Sequence, residues 1–284
     1  MISSGTKLPM NSRPRQAEEV TGGTLSVDPV LERIEDAIAQ LKECDRNHST
    51  AFPPASKRPS LSVVIPVFNE RRTIEEVIAR VSALDIDKQI ILVDDGSIDG
   101  TREILSSYMD RKGFDVVLHP CNQGKGAALQ SGFQHARGEV VIVQDADLEY
   151  DPQDILRVIG PILEGDSDVV YGSRYLKNSH QDPSLIHRLG NWILTQFSNC
   201  MTANRLTDME TCYKAIRGDV LKTIHIEQKR FGFEPEITAK LSRRGYRIFE
   251  VPISYRSRSW KEGKKIGWRD LVNTLWCIVR YRFN

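Results

Sequence analysis

From Leu61 onward the chain alternates short apolar runs with amphipathic stretches. The runs at 61–67 (LSVVIPV), 89–95 (QIILVDD), 115–119 (DVVLH), 139–147 (EVVIVQDAD) and 167–174 (SDVVYGSR) are rich in β-branched residues and predict strands. Between them, segments beginning near Glu70, Asp99, Gly124 and Asp151 have helical spacing. Strands alternating with helices predict an α/β fold with a mainly parallel sheet and helices on both faces. The runs are apolar throughout instead of alternating, which predicts strands buried on both sides.

The stretch before Leu61 follows a different pattern. The first 26 residues are rich in Ser, Gly, Pro and charge, a composition that buries little apolar surface and predicts disorder. Val30, Ile34, Ile38 and Leu41 then recur at helical spacing, with Asp28 as N-cap and Pro29 at the first helical position, so one amphipathic helix is expected near 28–45. Pro53, Pro54 and Pro59 lack the amide hydrogen that a helix or central strand uses and mark a linker. The expected organisation is an extension over 1–58, an α/β domain over 59–255, and a basic loop with an amphipathic helix over 256–284.

Composition narrows the setting. A chain of 284 residues with 40% apolar and 27% charged residues can build a substantial core. Five cysteines (Cys44, Cys121, Cys200, Cys212, Cys277) form no C-x-x-C pair, the start carries no apolar signal core, and no run approaches the roughly 18 to 20 apolar residues of a membrane span. A cytoplasmic protein with reduced thiols is expected. The formal net charge of +1 is unevenly spread: residues 256–284 carry 8 basic and 2 acidic side chains, whereas 59–255 carry 23 basic and 28 acidic. Such a tail suits a phosphate-bearing substrate or an anionic membrane surface. Nucleic acid is disfavoured as a partner, because the adjoining core is acidic and shows no aromatics arranged on a sheet face.

The candidate chemistry sits where the apolar runs end. In open α/β sheets ligands bind beyond the carboxyl ends of the strands, and there this chain places Asn69 and Glu70, then Asp94 and Asp95, then Asp145, Asp147 and Glu149. Asp94 and Asp95 precede Gly96 and a capped helix start, an arrangement that fits either a structural turn or recognition of a ribose or base edge. Asp145 and Asp147 form a D-x-D pair whose carboxylates, on an extended segment, share one side and repel unless a cation lies between them. With no His or Cys beside them, Mg²⁺ or Mn²⁺ is the expected ion, completing its shell from water and substrate phosphates. Glu149 is a third candidate ligand, and it equally suits the start of the next helix. Lys125, between Gly124 and Gly126, is placed to meet phosphate, although neither a P-loop nor a G-x-G-x-x-G is present.

Together, LSVVIPVFNERRTIEEVI, ILVDDGSIDGT, NQGKGAALQSGF, VQDADLEYDPQDI and VVYGSRYL occur in the order and spacing of family 2 glycosyltransferases with a GT-A fold. From about Leu61 to its end the chain most resembles the branch of dolichyl-phosphate mannose synthases and bacterial polyprenyl-phosphate glycosyltransferases. The resemblance implies that Pro66, Phe68 and Glu70 lie against the base and ribose of a nucleotide sugar, with Asp95 also on the nucleoside. It implies that Asp145, Asp147 and Glu149 hold a divalent metal on the diphosphate, and that Arg174 and Arg188 grip an acceptor phosphate. Where the family often has a small polar residue after the second arginine, this chain has Trp192. Asp208 and Lys214 would shape the sugar pocket, while Glu236, Arg258 and Lys265 fall on recurrent positions, the last two on a loop suited to folding over the diphosphate.

The implied reaction is substitution at the anomeric carbon of a hexose, with inversion and a nucleoside diphosphate (GDP or UDP) leaving. A polyprenyl or dolichyl phosphate acceptor is already ionised and needs no strong base. That fits a site rich in arginine in which His119, His135, His180, His187 and His225 fall outside the three acidic strand ends. A soluble or polysaccharide hydroxyl acceptor would instead need Asp208 or Glu236 as base. Leu271, Leu275, Trp276, Ile278 and Val279 among Arg269, Arg280 and Arg282 suit a peripheral position on the cytoplasmic face of an anionic membrane, and equally suit packing on the domain. A sugar-1-phosphate nucleotidyltransferase should begin with a Gly-rich, Arg-containing loop where this chain has PVFNE, and a non-catalytic nucleotide-sugar-binding protein would be favoured by a broken D-x-D.

Overall fold

The computed structural model describes residues 59–176, 185–257 and 268–283. The expected helix at 28–45, the prolines before Pro59 and the loop bearing Arg258 and Lys265 lie outside the described residues. The strands are β1 (Leu61–Val67), β2 (Lys88–Asp94), β3 (Phe114–Leu118), β4 (Val140–Val143), β5 (Val169–Ser173), β6 (Lys214–Arg217) and β7 (Ile248–Pro252). The helices are α1 (Ile74–Ser82), α2 (Thr101–Ser106), α3 (Lys125–His135), α4 (Asp154–Leu163), α5 (Leu185–Thr202), α6 (Gly218–Lys222), α7 (Phe233–Arg243) and α8 (Trp268–Phe283).

All seven strands join one sheet in the order β3-β2-β1-β4-β6-β5-β7. Every pairing is parallel except those of β6, which runs antiparallel between β4 and β5. This strand escapes the apolar-run pattern because it is four residues long and opens on a lysine. Every side chain of β4 and β5 is buried. Since successive side chains point to opposite faces, the centre of the sheet is covered on both sides. The helical periodicity is equally direct in α1, where Ile74, Val77, Ile78 and Val81 are buried and Glu75, Glu76 and Arg80 face solvent.

Register brings the candidate residues to one edge. Val67 lies opposite Asp94, Asp94 opposite Leu118, and Val64 opposite Val143. The carboxyl ends of β1, β2, β3 and β4 are therefore neighbours. Over them lies the start of α3, pressed against another backbone: a Cβ on Gly126 would come within 2.0 Å of the Gln228 carbonyl oxygen. Ala127 N donates to the Lys229 carbonyl at 3.0 Å at the same contact. Glycine here permits close packing between the α3 start and the segment leading into α7.

Candidate active site at the carboxyl ends of the central strands

Three loops interlock beyond β1, β2 and β4. After β1, Pro66, Phe68 and Glu70 are half-buried. Asn69 adopts a left-handed conformation (φ 55°), its amide donating to Ser97 Oγ at 2.9 Å and its Oδ1 accepting from Ile98 N at 2.9 Å. Thr73 Oγ1 donates to the Ala146 carbonyl at 2.7 Å and lies 3.1 Å from Glu70 Oε2, tying the first loop to the D-x-D.

The two aspartates after β2 have separate tasks. Asp94 is sealed from solvent and accepts from Ser97 N at 3.1 Å and Arg102 Nε at 2.7 Å, so it braces the turn. Asp95, 2% exposed, accepts from Gln123 N at 2.9 Å and Gly124 N at 2.7 Å and lies 2.8 Å from His119 Nδ1. His119 Nε2 continues the chain to Ser131 Oγ at 2.9 Å. The expectation that every histidine lies away from the acidic strand ends is corrected at this residue. Its signal was legible, because His119 immediately follows the β3 run and β3 ends level with Asp94. Gly96 (φ 78°) admits the turn, since a Cβ there would lie 2.5 Å from the Cys121 carbonyl carbon.

Strand β4 ends at Val143, so Asp145 and Asp147 straddle a turn and not the extended segment expected from the sequence. Leu148 has φ 59°, an unfavourable region for a branched side chain, and reverses the backbone there. Glu149 N donates to Asp147 Oδ1 at 3.1 Å, and Glu149 Oε2 accepts from the Tyr255 hydroxyl at 2.9 Å. The third carboxylate is thereby directed toward the segment after β7. Asp145 is bound to Lys125, whose Nζ is 3.0 Å from Oδ1 and 3.1 Å from Glu234 Oε1. Burial opposes the charge on Lys125, yet Asp145 and Glu234 outweigh it and hold its pKa well above the ordinary value. Among the described residues no three His, Cys, Asp or Glu side chains converge into an all-protein metal cage.

A second charged group lies beyond β5. Arg174 grips Asp208 as a fork, Nε to Oδ2 at 2.6 Å and Nη2 to Oδ1 at 2.7 Å, and Arg174 N also donates to Oδ2 at 3.1 Å. Asp208 is fully buried. Burial works against the guanidinium, but Asp208 prevails and raises its pKa well above the usual arginine value. The structure thus pairs two residues to which the sequence reading assigned separate tasks. Arg188 is half-buried on α5. Lys214, 1% exposed, donates to the carbonyls of Met209 at 2.7 Å and Thr211 at 2.6 Å. Burial lowers its pKa and raises that of Glu210, which Glu234 further repels. Glu236 accepts from Glu227 N, Gln228 N and Lys240 Nζ at 2.7, 2.8 and 2.6 Å, so it closes the loop leading into α7. Glu210 and Glu234 were not singled out from the sequence. The latter follows Lys125 by more than 100 residues, and only the packing of α3 on the segment before α7 brings them together.

Comparison with known proteins places this architecture. The family model "Glycosyl transferase family 2" matches residues 62–224. The chain is 33% identical over 225 residues to an undecaprenyl-phosphate 4-deoxy-4-formamido-L-arabinose transferase from Edwardsiella ictaluri, covering 77% of this chain and 66% of that protein. It is 28% identical over 204 residues to a dodecaprenyl-phosphate galacturonate synthase from Rhizobium johnstonii, covering 70% of this chain and 59% of that protein. The chain therefore spans about two-thirds or less of the length of these two relatives. Glucosyl-3-phosphoglycerate synthase from Mycobacterium tuberculosis, solved with Mn²⁺, UDP and glucosyl-3-phosphoglycerate, superposes with a TM-score of 0.59 at 22% identity, covering 80% of each chain. The fold is that of a GT-A glycosyltransferase, an α/β sheet with carboxylates at its central strand ends. The chain belongs to glycosyl transferase family 2.

Proposed function

We propose that this protein transfers a hexose from a nucleoside-diphosphate sugar to a polyprenyl phosphate, with a divalent cation at the donor diphosphate. The observation that carries the donor half is the convergence of Asp95, Asp145 and Asp147 on one edge of the sheet, beside the Lys125 ammonium. Pro66, Phe68 and Glu70 would border the nucleoside, with Asp95 fixing the Gln123–Gly124 backbone next to it. The donor set suits a hard cation, since Asp147 and Asp145 offer only carboxylate oxygens and the diphosphate and water supply the rest. When bound, Mg²⁺ or Mn²⁺ would neutralise charge that builds on the leaving diphosphate. Lys125 adds a fixed positive charge beside it, and Arg258 and Lys265, outside the described residues, are the proposed cover.

The acceptor half is supported by the names of the relatives and by what the carboxylates here are already doing. A hydroxyl acceptor needs a base, but Asp208 is clamped by Arg174 and Glu236 by two backbone amides and Lys240. A phosphate monoester brings its own anionic oxygen, so the chemistry reduces to positioning and charge stabilisation. Arg174 and Arg188 are the proposed contacts to it. The test is transfer of labelled sugar from a panel of UDP- and GDP-hexoses to a short-chain polyprenyl phosphate, read in the organic phase with Mg²⁺ or Mn²⁺. Product that disappears with EDTA is expected, whereas transfer confined to a soluble hydroxyl acceptor would overturn the acceptor assignment.

A lipid acceptor requires a lipid-facing surface, and the exposed apolar side chains of α8 and α5 are the ones proposed to form it. Helix α8 buries Thr274, Cys277, Ile278 and Tyr281 against α7 and α5 and exposes Val272, Trp276 (49%), Val279 and Phe283. The neighbouring α5 exposes Leu189, Trp192 (58%) and Ile193. Arg280 stacks on the Trp276 ring at 5.0 Å, placing charge at the rim of the apolar face. No described helix is long and apolar enough to cross a membrane. Vesicles containing anionic lipid should therefore float the protein, and the double change Trp192→Ser, Trp276→Ser should reduce the bound fraction on the order of tenfold. Unchanged flotation of the double variant would remove this face from the account.

A further inference from the structure

The segment after β7 runs from one charged group of the site to the other, and Tyr255 is the side chain on it that touches both. Strand β7 lies beside β5 with Pro252 opposite Ser173, and Ile253 N donates to the Ser173 carbonyl at 3.1 Å, immediately before Arg174. Two residues on, the same segment reaches the D-x-D turn. Tyr150 and Tyr255 form an antiparallel bridge there, and Arg256 N donates to the Glu149 carbonyl at 2.8 Å. Tyr255 itself is 5% exposed. Its hydroxyl donates to Glu149 Oε2 at 2.9 Å, and the Arg174 guanidinium carbon lies over its ring, 5.0 Å from the centroid.

The ring has packed neighbours. Tyr150 meets it edge-on at 5.3 Å and in turn meets Tyr213 at 4.9 Å. Cys212 N donates to the Tyr150 hydroxyl at 3.1 Å, and the Tyr213 hydroxyl donates to Gln144 Oε1 at 2.6 Å, one residue before Asp145. A close-packed buried ring holds what it touches at a fixed separation. Asp208 fixes the Arg174 guanidinium along its edge, and Tyr255 supports its face, a contact that strengthens where water is excluded. At the other end a hydroxyl bonded to a carboxylate is stronger than a bond between neutral groups.

We infer that Tyr255 is a positioning residue that sets the distance of Arg174 from the D-x-D turn, and that Glu149 serves as its anchor on that turn. This inference rests on the transfer reading given above and adds to it how donor diphosphate and acceptor phosphate are kept at reacting distance. Their proposed contacts lie on separate loops. A small error in the separation slows attack at the anomeric carbon far more than it weakens either ligand. Loss of the Tyr255 hydroxyl should therefore act on kcat and not on binding.

A double-mutant cycle on the full chain tests this, using Tyr255→Phe, Glu149→Leu and the two changes combined. Transfer from UDP- or GDP-hexose to a short-chain polyprenyl phosphate gives kcat and acceptor KM, calorimetry gives Mn²⁺ and nucleotide affinity, and a melt gives Tm. Tyr255→Phe keeps the ring on Arg174 and is expected to lower kcat about tenfold, with acceptor KM and nucleotide affinity within about twofold. Its Tm should fall by no more than about 4 °C, the scale of one hydrogen bond. The combined variant should be no slower than the slower single variant, because both changes remove the same contact. Tyr255→Leu also removes the ring and should raise acceptor KM about fivefold. Additive losses in the cycle, Mn²⁺ binding weakened about tenfold by Glu149→Leu, or a kcat loss accompanied by a larger fall in Tm would overturn this inference and leave the transfer reading standing. Absence of transfer by the unchanged chain overturns that reading and this inference with it.

Discussion

Asp208→Ala is expected to destabilise the protein by about 3–5 kcal/mol, the range found when one partner of a buried ion pair is removed. The Arg174 side chain is only 13% exposed and Asp208 is fully buried, and both carboxylate oxygens are taken by the guanidinium. Removing the carboxylate strands a buried cation that cannot escape by losing its proton, because arginine stays charged in any accessible pH range. For a chain of this size the loss corresponds to a fall in Tm of roughly 10 °C. The double change Arg174→Met, Asp208→Leu should recover most of the stability and none of the transfer activity, since apolar residues of similar volume replace such pairs at little cost. Thermal melts and urea titration of the single and double variants check this. A single variant that loses transfer but keeps its full stability would make Asp208 a group acting directly on substrate, not the anchor of Arg174.

Asp147→Ala is expected to do the opposite, lowering transfer by about 10²–10³ or more while changing stability by about 1 kcal/mol or less. Asp147 is half-buried in a turn, and its carboxylate accepts the Glu149 amide across Leu148. Loss of a half-buried carboxylate–amide hydrogen bond costs far less than stranding the buried charge of the Arg174 fork. Its proposed role is to hold the cation where the leaving diphosphate becomes more negative, an interaction that matters most in the transition state. The variant should therefore lose kcat and gain little from raised Mn²⁺. A variant with near-wild-type turnover in EDTA would place the charge stabilisation on Lys125 and the basic loop alone.

Much of this arrangement was legible before any coordinates. The buried strands β1, β2, β4 and β5 are the apolar runs, and the carboxylates that follow them are the ones gathered at the sheet edge. Two strands were not legible. β6 is short and carries a buried lysine, and β7 lies at the sheet edge with Phe249 54% exposed, so neither shows a continuous apolar run. The insertion of β6 between β4 and β5 follows from its pairing on both sides, which no local pattern encodes. Within the site, residue types were readable but their partners were not. Arg174 with Asp208, Lys125 with Glu234 and His119 with Asp95 are each joined by tertiary contact across 24 to 109 positions. The D-x-D turn also departs from the extended geometry because Leu148 reverses the chain two residues beyond Ala146.

The central claim is that the carboxyl ends of β1, β2 and β4 hold a nucleoside diphosphate through a divalent cation at the D-x-D. Anomalous diffraction at the manganese edge, from crystals grown with Mn²⁺ and UDP or GDP, addresses it most directly. The account predicts one strong anomalous peak within coordinating distance of the Asp147 carboxylate and of diphosphate oxygens, with the nucleoside running toward Asp95 and Glu70. Nucleotide density elsewhere, or nucleotide at this edge with the manganese bound away from Asp147, would contradict it.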